Sequence, residues 1–270
     1  MSTVPVGVTP IVSALTPGAA GHSLFLFDFD GTLTEFAPTP AVASFTRARR
    51  DALASLAGRP DATVGIVSGR RLADVRSKVG LGPPLYFAGL HGMEIEGGSA
   101  RFLHEGLREA APAIAEVTRL AEQALSGLAG IVVEDKGYSV VLHTRLAAPS
   151  VKASATRAFR AVVAPFEQRG EVRVQQGHEM AEVLPNVAWN KGDAVRWIQR
   201  RVAERAGRAV QTMYVGDDLT DEDAFRAVAP GGVTVVVGSR PSSARFRLPD
   251  PAAVEALVRM LATMPTTSPL

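Results

Sequence analysis

The sequence predicts an α/β protein, a doubly wound parallel-sheet core interrupted by an inserted α+β domain. Three observations carry that expectation. Short apolar, β-branched runs alternate with helix-period segments toward both ends of the chain, as parallel βαβ units require. The middle, residues 104–185, instead runs helix, hairpin, helix, hairpin, an order that suits an antiparallel sheet with helices on one face. Carboxylates also gather where predicted strands end, which is where open α/β sheets place their sites.

The elements follow in order. Residues 1–21 mix Pro, Gly, Ser and Thr without a clear period or a leader-like apolar stretch, so a loose arm is expected. Leu24, Phe25, Leu26 and Phe27 form an apolar run between Gly21 and Gly31, suited to a strand buried on both faces. Pro38 and Pro40 punctuate a loop, and residues 42–56 carry helical spacing. A strand over 63–67 ends at Ser68-Gly69-Arg70, a helix over 72–79 is closed by Gly80, and a third strand covers 85–88.

The insert opens with a helical stretch, 108–128, bent or started at Pro112. Strands over 131–134 and 138–143 flank a turn at Lys136-Gly137. A second helix, 151–168, ends at Gly170, and strands over 171–175 and 179–184 turn around Gly177. The alternating pattern then resumes with a helix over 191–206 and a strand over 212–215. A helix over 221–228 follows a Thr220 cap, a strand covers 233–237, and a last helix over 251–261 starts on Pro251. The expected boundaries are an arm, 1–21; a Rossmann-like core, 22–103 and 186–262; an insert, 104–185; and a polar tail, 263–270.

Composition narrows the function. The chain has 270 residues, 46% hydrophobic and 21% charged, which is ordinary for a soluble protein of one large or two modest domains. With no cysteine there is no disulfide framework, thiolate metal site or cysteine nucleophile, and a reducing, cytoplasmic setting suits the chain. Arg47, Arg49 and Arg50, and again Arg200, Arg201, Arg205 and Arg208, sit at helical spacing among Ala and Glu, so they read as solvated helix faces. No nucleic-acid partner is therefore expected. No apolar run approaches the ~18 residues of a membrane span, so no membrane partner is expected either. A monomer acting on a small molecule is the resulting expectation.

Asp28 and Asp30 follow the first strand, and side chains two apart on extended chain point the same way. Like charges so close repel, and a bound cation or a shared proton relieves them. An isolated D-x-D reads equally well as an acidic turn. Ser68 stands at the end of the second strand, where a hydroxyl and nearby amides can hold an anion, and where a turn residue is also common. Lys191 begins a helix, a place where the dipole disfavours a cation unless carboxylate or phosphate lies against it. The dipole accounts for Asp221, Glu222 and Asp223 at a helix start, but not for Asp217 and Asp218 at a strand end.

Residues 24–34, LFLFDFDGTLT, resemble the first motif of the haloacid dehalogenase superfamily. Ser68, Lys191 and Gly216-Asp217-Asp218 are similar to its second, third and fourth motifs, in that order. The resemblance implies a Mg²⁺-dependent phosphatase working through an aspartyl-phosphate. Asp28 would be the nucleophile and Asp30 the general acid/base, with Ser68 and Lys191 balancing charge on the phosphoryl group. Asp28, the backbone carbonyl of Asp30, and Asp217 would hold the metal, with Asp218 and Asp221 supporting them.

A narrower resemblance, to trehalose-6-phosphate phosphatases, rests on four further stretches. These are Gly89-Leu90-His91-Gly92-Met93-Glu94; Glu134-Asp135-Lys136-Gly137-Tyr138-Ser139 with His143-Thr144-Arg145; Gly177 to Pro185 leading to Asn190-Lys191-Gly192; and Gly216 to Glu222. It implies that the insert is a cap whose Glu134, Lys136 and Glu182 read the sugar in a trehalose-biosynthetic step. Arg70, His91 and Arg145 would lie near the phosphate or the sugar, and closure of one domain on the other would complete the site. Sucrose-6-phosphate or mannosyl-3-phosphoglycerate as substrate, a phosphomutase, and a sugar-phosphate sensor are the competing readings.

Overall fold

Strand β1 (Ser23–Phe27) stands in the middle of an eight-stranded sheet, with β2 (Ala62–Val67) on one side and β10 (Gln211–Gly216) on the other. A computed structural model of the chain describes residues 7–15, 21–35, 45–177, 179–228 and 231–265. The chain divides into two compact units, residues 1–102 with 189–270, and residues 103–188.

In the first unit, β2 is followed by β3 (Tyr86–Gly89), β4 (Glu94–Gly97) and β5 (Ala100–Leu103), and β10 by β11 (Val233–Val237) and β12 (Phe246–Leu248). The strand order is β12-β11-β10-β1-β2-β3-β4-β5. Every pair from β12 to β3 is parallel, and β4 returns antiparallel to β3. The order reverses between β1 and β10. That switch point opens a crevice at the strands' C-terminal ends.

Alternation along β1 explains the two layers. Phe25 and Phe27 point into a cluster with α2 (Arg47–Ala57), α3 (Leu72–Val79) and α8 (Pro251–Thr263), through Leu53, Val75 and Leu257. Leu24 and Leu26 point the other way, into a cluster with α6 (Lys191–Ala206) and α7 (Asp221–Val228), through Val195, Ile198 and Phe225. A strand buried on both faces has no polar positions to spare, so its polar chemistry appears only where it ends.

Three features of the first unit differ from the expectation. Part of the stretch expected to be a loose arm forms helix α1 (Val8–Ala14), with Ile11 and Leu15 buried in the core. Val8, Val12 and Ala14 pack beside them, but a helix of 7 residues leaves no period long enough to read. The helix expected over 42–56 starts at Arg47, because the Thr46 hydroxyl accepts from the Arg49 amide at 3.2 Å and caps it there. Strands β4, β5 and β12 were not expected at all; they are 3–4 residues long and carry charged side chains. Residues 1–6, 16–20, 42–44 and 266–270, and the loop at Pro38 and Pro40, lie outside the described residues.

The second unit holds a four-stranded antiparallel sheet, β6-β7-β9-β8, made of β6 (Val132–Asp135), β7 (Val140–His143), β8 (Val172–Gly177) and β9 (Met180–Pro185). Helices α4 (Glu105–Leu125) and α5 (Pro149–Gln168) cover one face. On α4 the buried apolar side chains are Leu107, Ala110, Ile114, Val117, Ala121 and Leu125, one stripe at spacings of three and four. The helix runs through Pro112 and starts at Glu105, earlier than expected, because His104 Nδ1 accepts from the Gly106 amide at 3.1 Å. Val140, Leu142, Ala181, Val183 and Val172 face the helices. Residues of opposite parity, including Glu134, His143, Glu182 and Gln175, therefore share the other face.

Candidate active site at the sheet's switch point

Asp28 follows β1 directly, and its amide donates to the Val215 carbonyl of β10 at 2.8 Å, so its position is fixed by both strands that flank the crevice. Asp217 follows β10. Lys191 is presented by the first turn of α6, where Asn190 and Asp193 form a capping box: the Asn190 side chain accepts from Gly192 and Asp193, and Asp193 accepts from the Asn190 amide.

These elements converge. Lys191 Nζ donates to Asp28 Oδ1 and to Asp221 Oδ1, both at 2.7 Å, and all three side chains are buried. Asp221 also accepts from the Tyr214 hydroxyl at 2.8 Å and from the Asp218 amide at 2.9 Å. Asp217 accepts from the Thr32 hydroxyl at 2.9 Å. No side chain fits at Gly216, where a Cβ would stand 2.3 Å from the Asp221 carboxyl carbon.

The electrostatics follow from the crowding. Burial, together with the charges of Asp221 and Asp217, holds Asp28 well above the ordinary carboxylate range, against the pull of Lys191. Burial and the Asp221 carboxylate push Asp217 up to about 6. Burial alone would lower the Lys191 ammonium, but Asp221 and Asp28 outweigh it and raise the group above its usual value. Burial and Asp221 likewise raise Tyr214.

Asp28, Asp217 and Asp221 each offer an oxygen, all within 4.8 Å of one another. One ammonium thus faces three carboxylates built of hard oxygen donors. That donor set fits a small divalent cation such as Mg²⁺.

Asp30 lies apart from this trio. Arg70 Nε and Nη2 hold its two oxygens at 2.6 Å each, while Arg70 Nη1 donates to Asp74 at 2.7 Å and the guanidinium rests over the Phe29 ring. Ser68 is buried, and its hydroxyl oxygen accepts from the Arg70 amide at 3.1 Å, which leaves the hydroxyl proton to be donated. His91 packs its ring against Gly69, where a Cβ would come within 3.0 Å of it. Its backbone, like that of Leu90, is left-handed (φ 57° and 48°), pinned by Leu90 N to Arg70 O at 2.8 Å and His91 N to Ser68 O at 2.9 Å. Such conformations are costly in non-glycine residues and persist only where the surroundings constrain the turn.

Asp218, expected as support, is exposed; its carboxylate accepts from the Leu219 amide at 2.7 Å, and its amide holds Asp221. Asp221 does more than support, since it is the second partner of Lys191. Sequence reasoning missed Tyr214 and Thr32. Tyr214 reads as a core residue in an apolar strand, and only the contact to Asp221 identifies it.

Within the second unit, Glu134, Val141, Glu182 and Gln175 lie side by side across β6, β7, β9 and β8. Glu182 is buried and accepts from the Ser139 hydroxyl at 2.8 Å and from Lys136 Nζ at 3.3 Å. Glu134 bonds His143 Nε2 at 2.7 Å. Arg145 instead pairs with Glu179 at 3.5 Å, beside Lys152 on the same carboxylate. The structure therefore brings Glu134, Lys136 and Glu182 onto one polar face and ties Arg145 to the β8–β9 turn.

Residues 26–252 match the trehalose-phosphatase family profile. A trehalose-phosphate phosphatase of Mycobacterium ulcerans is 36% identical over 247 residues, which cover 89% of this chain and 62% of that protein. The chain thus spans less than two thirds of the length of the curated relatives it matches. Among solved structures, the C-terminal domain of a C. albicans trehalose-6-phosphate phosphatase superposes with a TM-score of 0.79 at 23% identity, covering 96% of this chain and 98% of that one, a likeness of fold. A trehalose-6-phosphate phosphatase of Aspergillus fumigatus shares 29% identity with a TM-score of 0.63, over 96% and 98% of the two chains.

Proposed function

The chain belongs to the trehalose-phosphatase family, and from that premise we propose that it hydrolyses trehalose 6-phosphate to trehalose and phosphate, with Mg²⁺, through a phosphorylated Asp28. The observation that carries the reading is the Lys191 ammonium held between Asp28 and Asp221, next to Asp217, at the switch point of a parallel sheet.

Asp28, the backbone carbonyl of Asp30, and Asp217 would hold Mg²⁺. Bound there, the ion would neutralise charge on the phosphoryl oxygens. Asp28 attacks phosphorus, and the bond from phosphorus to the sugar oxygen breaks. Asp30 gives that oxygen a proton, then takes one from the water that attacks the acyl phosphate, which releases phosphate and restores Asp28. Arg70 fixes the plane of the Asp30 carboxylate and has to yield one oxygen when Asp30 carries the proton. The Ser68 hydroxyl donates to a phosphoryl oxygen, and Lys191 keeps Asp28 oriented while offsetting charge.

The polar face of the second unit supplies sugar recognition. Paired hydroxyls of a disaccharide suit the carboxylates of Glu134 and Glu182 as acceptors and Lys136 as donor.

The test is phosphate release from trehalose 6-phosphate, sucrose 6-phosphate, glucose 6-phosphate and an aryl phosphate, with Mg²⁺ and with a chelator. A chelator-sensitive preference for trehalose 6-phosphate is expected. Chelator-sensitive release with another preference would remove the substrate assignment and keep the chemistry. No release from any of the four would remove both.

A further inference from the structure

Arg240, on the loop leaving β11, has no part in the chemistry above, yet its guanidinium reaches the Asp217 loop. Nε donates to the Asp217 carbonyl, Nη2 to the Asp218 carbonyl at 2.6 Å, and Nη1 to Glu222 Oε1 at 2.6 Å and to the Pro241 carbonyl at 2.8 Å. Every nitrogen of the group is engaged. Glu222, in the first turn of α7, is itself fixed: it accepts from the Ser242 hydroxyl at 2.7 Å, the Ser243 amide at 3.0 Å and the Ser243 hydroxyl. Behind the loop, Arg247 is buried and donates to the carbonyls of Arg240, at 2.8 Å, and of Gly238.

The segment that this network grips is otherwise open to solvent. Asp218 is exposed and Leu219 is 72% exposed, so apolar packing does little to hold the turn that carries Asp217. Repulsion from the Asp221 carboxylate would push the Asp217 carboxylate outward. Thr32 restrains its side chain, and Arg240 restrains its backbone.

We propose that Arg240, locked by Glu222, is a positioning residue that preorganises Asp217 for a divalent cation. The inference rests on the reading that Asp217 holds Mg²⁺. Its sign separates it from simple electrostatics. Arg240 is a cation near a cation site, so by Coulomb's law alone its removal would tighten Mg²⁺ binding. If Arg240 acts by holding the loop, its removal weakens binding.

The experiment compares the full chain with Arg240→Met and Arg240→Lys. Mg²⁺ affinity is read by isothermal titration calorimetry and by the Mg²⁺-induced rise in unfolding temperature. Loss of an outer partner of a metal ligand weakens affinity by about 10–100-fold, and that loss is expected in both variants. Lys keeps the charge, but one ammonium cannot reach two carbonyls and a carboxylate as a planar fork does. The kcat toward an aryl phosphate should recover at saturating Mg²⁺ while the half-saturating concentration rises. Unchanged or tighter binding in Arg240→Met, or wild-type affinity in Arg240→Lys, overturns the proposal. If Arg240→Met does not fold, Arg240→Lys decides alone. A parent chain that binds no Mg²⁺ would instead overturn the cation reading beneath it.

Discussion

Replacing Lys191 with Met tests the centre of the site through stability rather than activity. The substitution nearly preserves side-chain length and leaves Asp28 and Asp221, both buried, without the ammonium that now lies 2.7 Å from each. Removing one partner of a buried ion pair costs about 3–5 kcal/mol, because the charge left behind is uncompensated. The penalty applies only to ionised carboxylates, so it depends on pH. Asp28 already lies well above its ordinary range through burial, opposed by Lys191, and the substitution raises it further. A carboxyl whose folded pKa exceeds its unfolded value of about 4 binds its proton more tightly in the folded state. Stability is then greatest below the unfolded pKa and falls as pH rises toward the folded one. Urea denaturation in the presence of a chelator, at about pH 5 and pH 8, reads this directly. Lys191→Met should lose about 3–5 kcal/mol at the higher pH and clearly less at the lower. An equal loss at both values, or a loss below about 1 kcal/mol at the higher, would refute the view that Lys191 is the counter-charge of two buried carboxylates.

Three other variants have defined outcomes. Asp28→Asn should abolish phosphate release from every substrate while its circular dichroism stays that of the parent; substantial turnover would remove Asp28 as nucleophile. Glu182→Gln should lower kcat/KM for trehalose 6-phosphate by about 10–100-fold, the scale of a hydrogen bond to a charged group, and leave an aryl phosphate nearly unaffected. Equal loss on both substrates would sink the assignment of Glu182 to the sugar. Ile11→Ala should cost about 2–5 kcal/mol by thermal unfolding, since Ile11 is fully buried in the core; a negligible shift would mean that α1 is not docked in solution.

How much of this was legible in the sequence depends on how local each signal is. The strand of Leu24, Phe25, Leu26 and Phe27 announces itself by an unbroken apolar run, and Asp28 by ending it. Helices α3 and α6 were bounded correctly because their ends carry local signals, Gly80 in a left-handed turn for α3 and the Asn190 cap for α6. The contact between Lys191 and Asp28 spans 163 residues, and no spacing in the chain encodes it. Asp221 was legible as an acidic helix start, but its pairing with Lys191 and Tyr214 comes from the meeting of α6, α7 and β10. Strands β4 and β5 were not legible, because four residues that include Glu94 and Glu96 read as polar loop until an edge of the sheet is there to pair them. Arg240 gave no signal either. It is one arginine among many, and only its fan of hydrogen bonds sets it apart.

Several local rules fail at this site, and the failures compensate one another. A lysine at a helix N-terminus opposes the helix dipole, but Lys191 there is stabilised by two carboxylates that could not be buried without it. A third carboxylate, Asp217, remains in excess and is pushed up to about 6, so the pocket is left short of positive charge by design of its neighbours. Leu90 and His91 hold left-handed backbone at about 1–3 kcal/mol each, tied to the carbonyls of Arg70 and Ser68. None of these arrangements is the most stable one its residues could adopt. A fold selected for stability alone would replace the buried charges with apolar side chains. Their concentration at one end of one crevice, with the rest of the sheet apolar and regular, is the pattern expected where charge has to be supplied by a ligand.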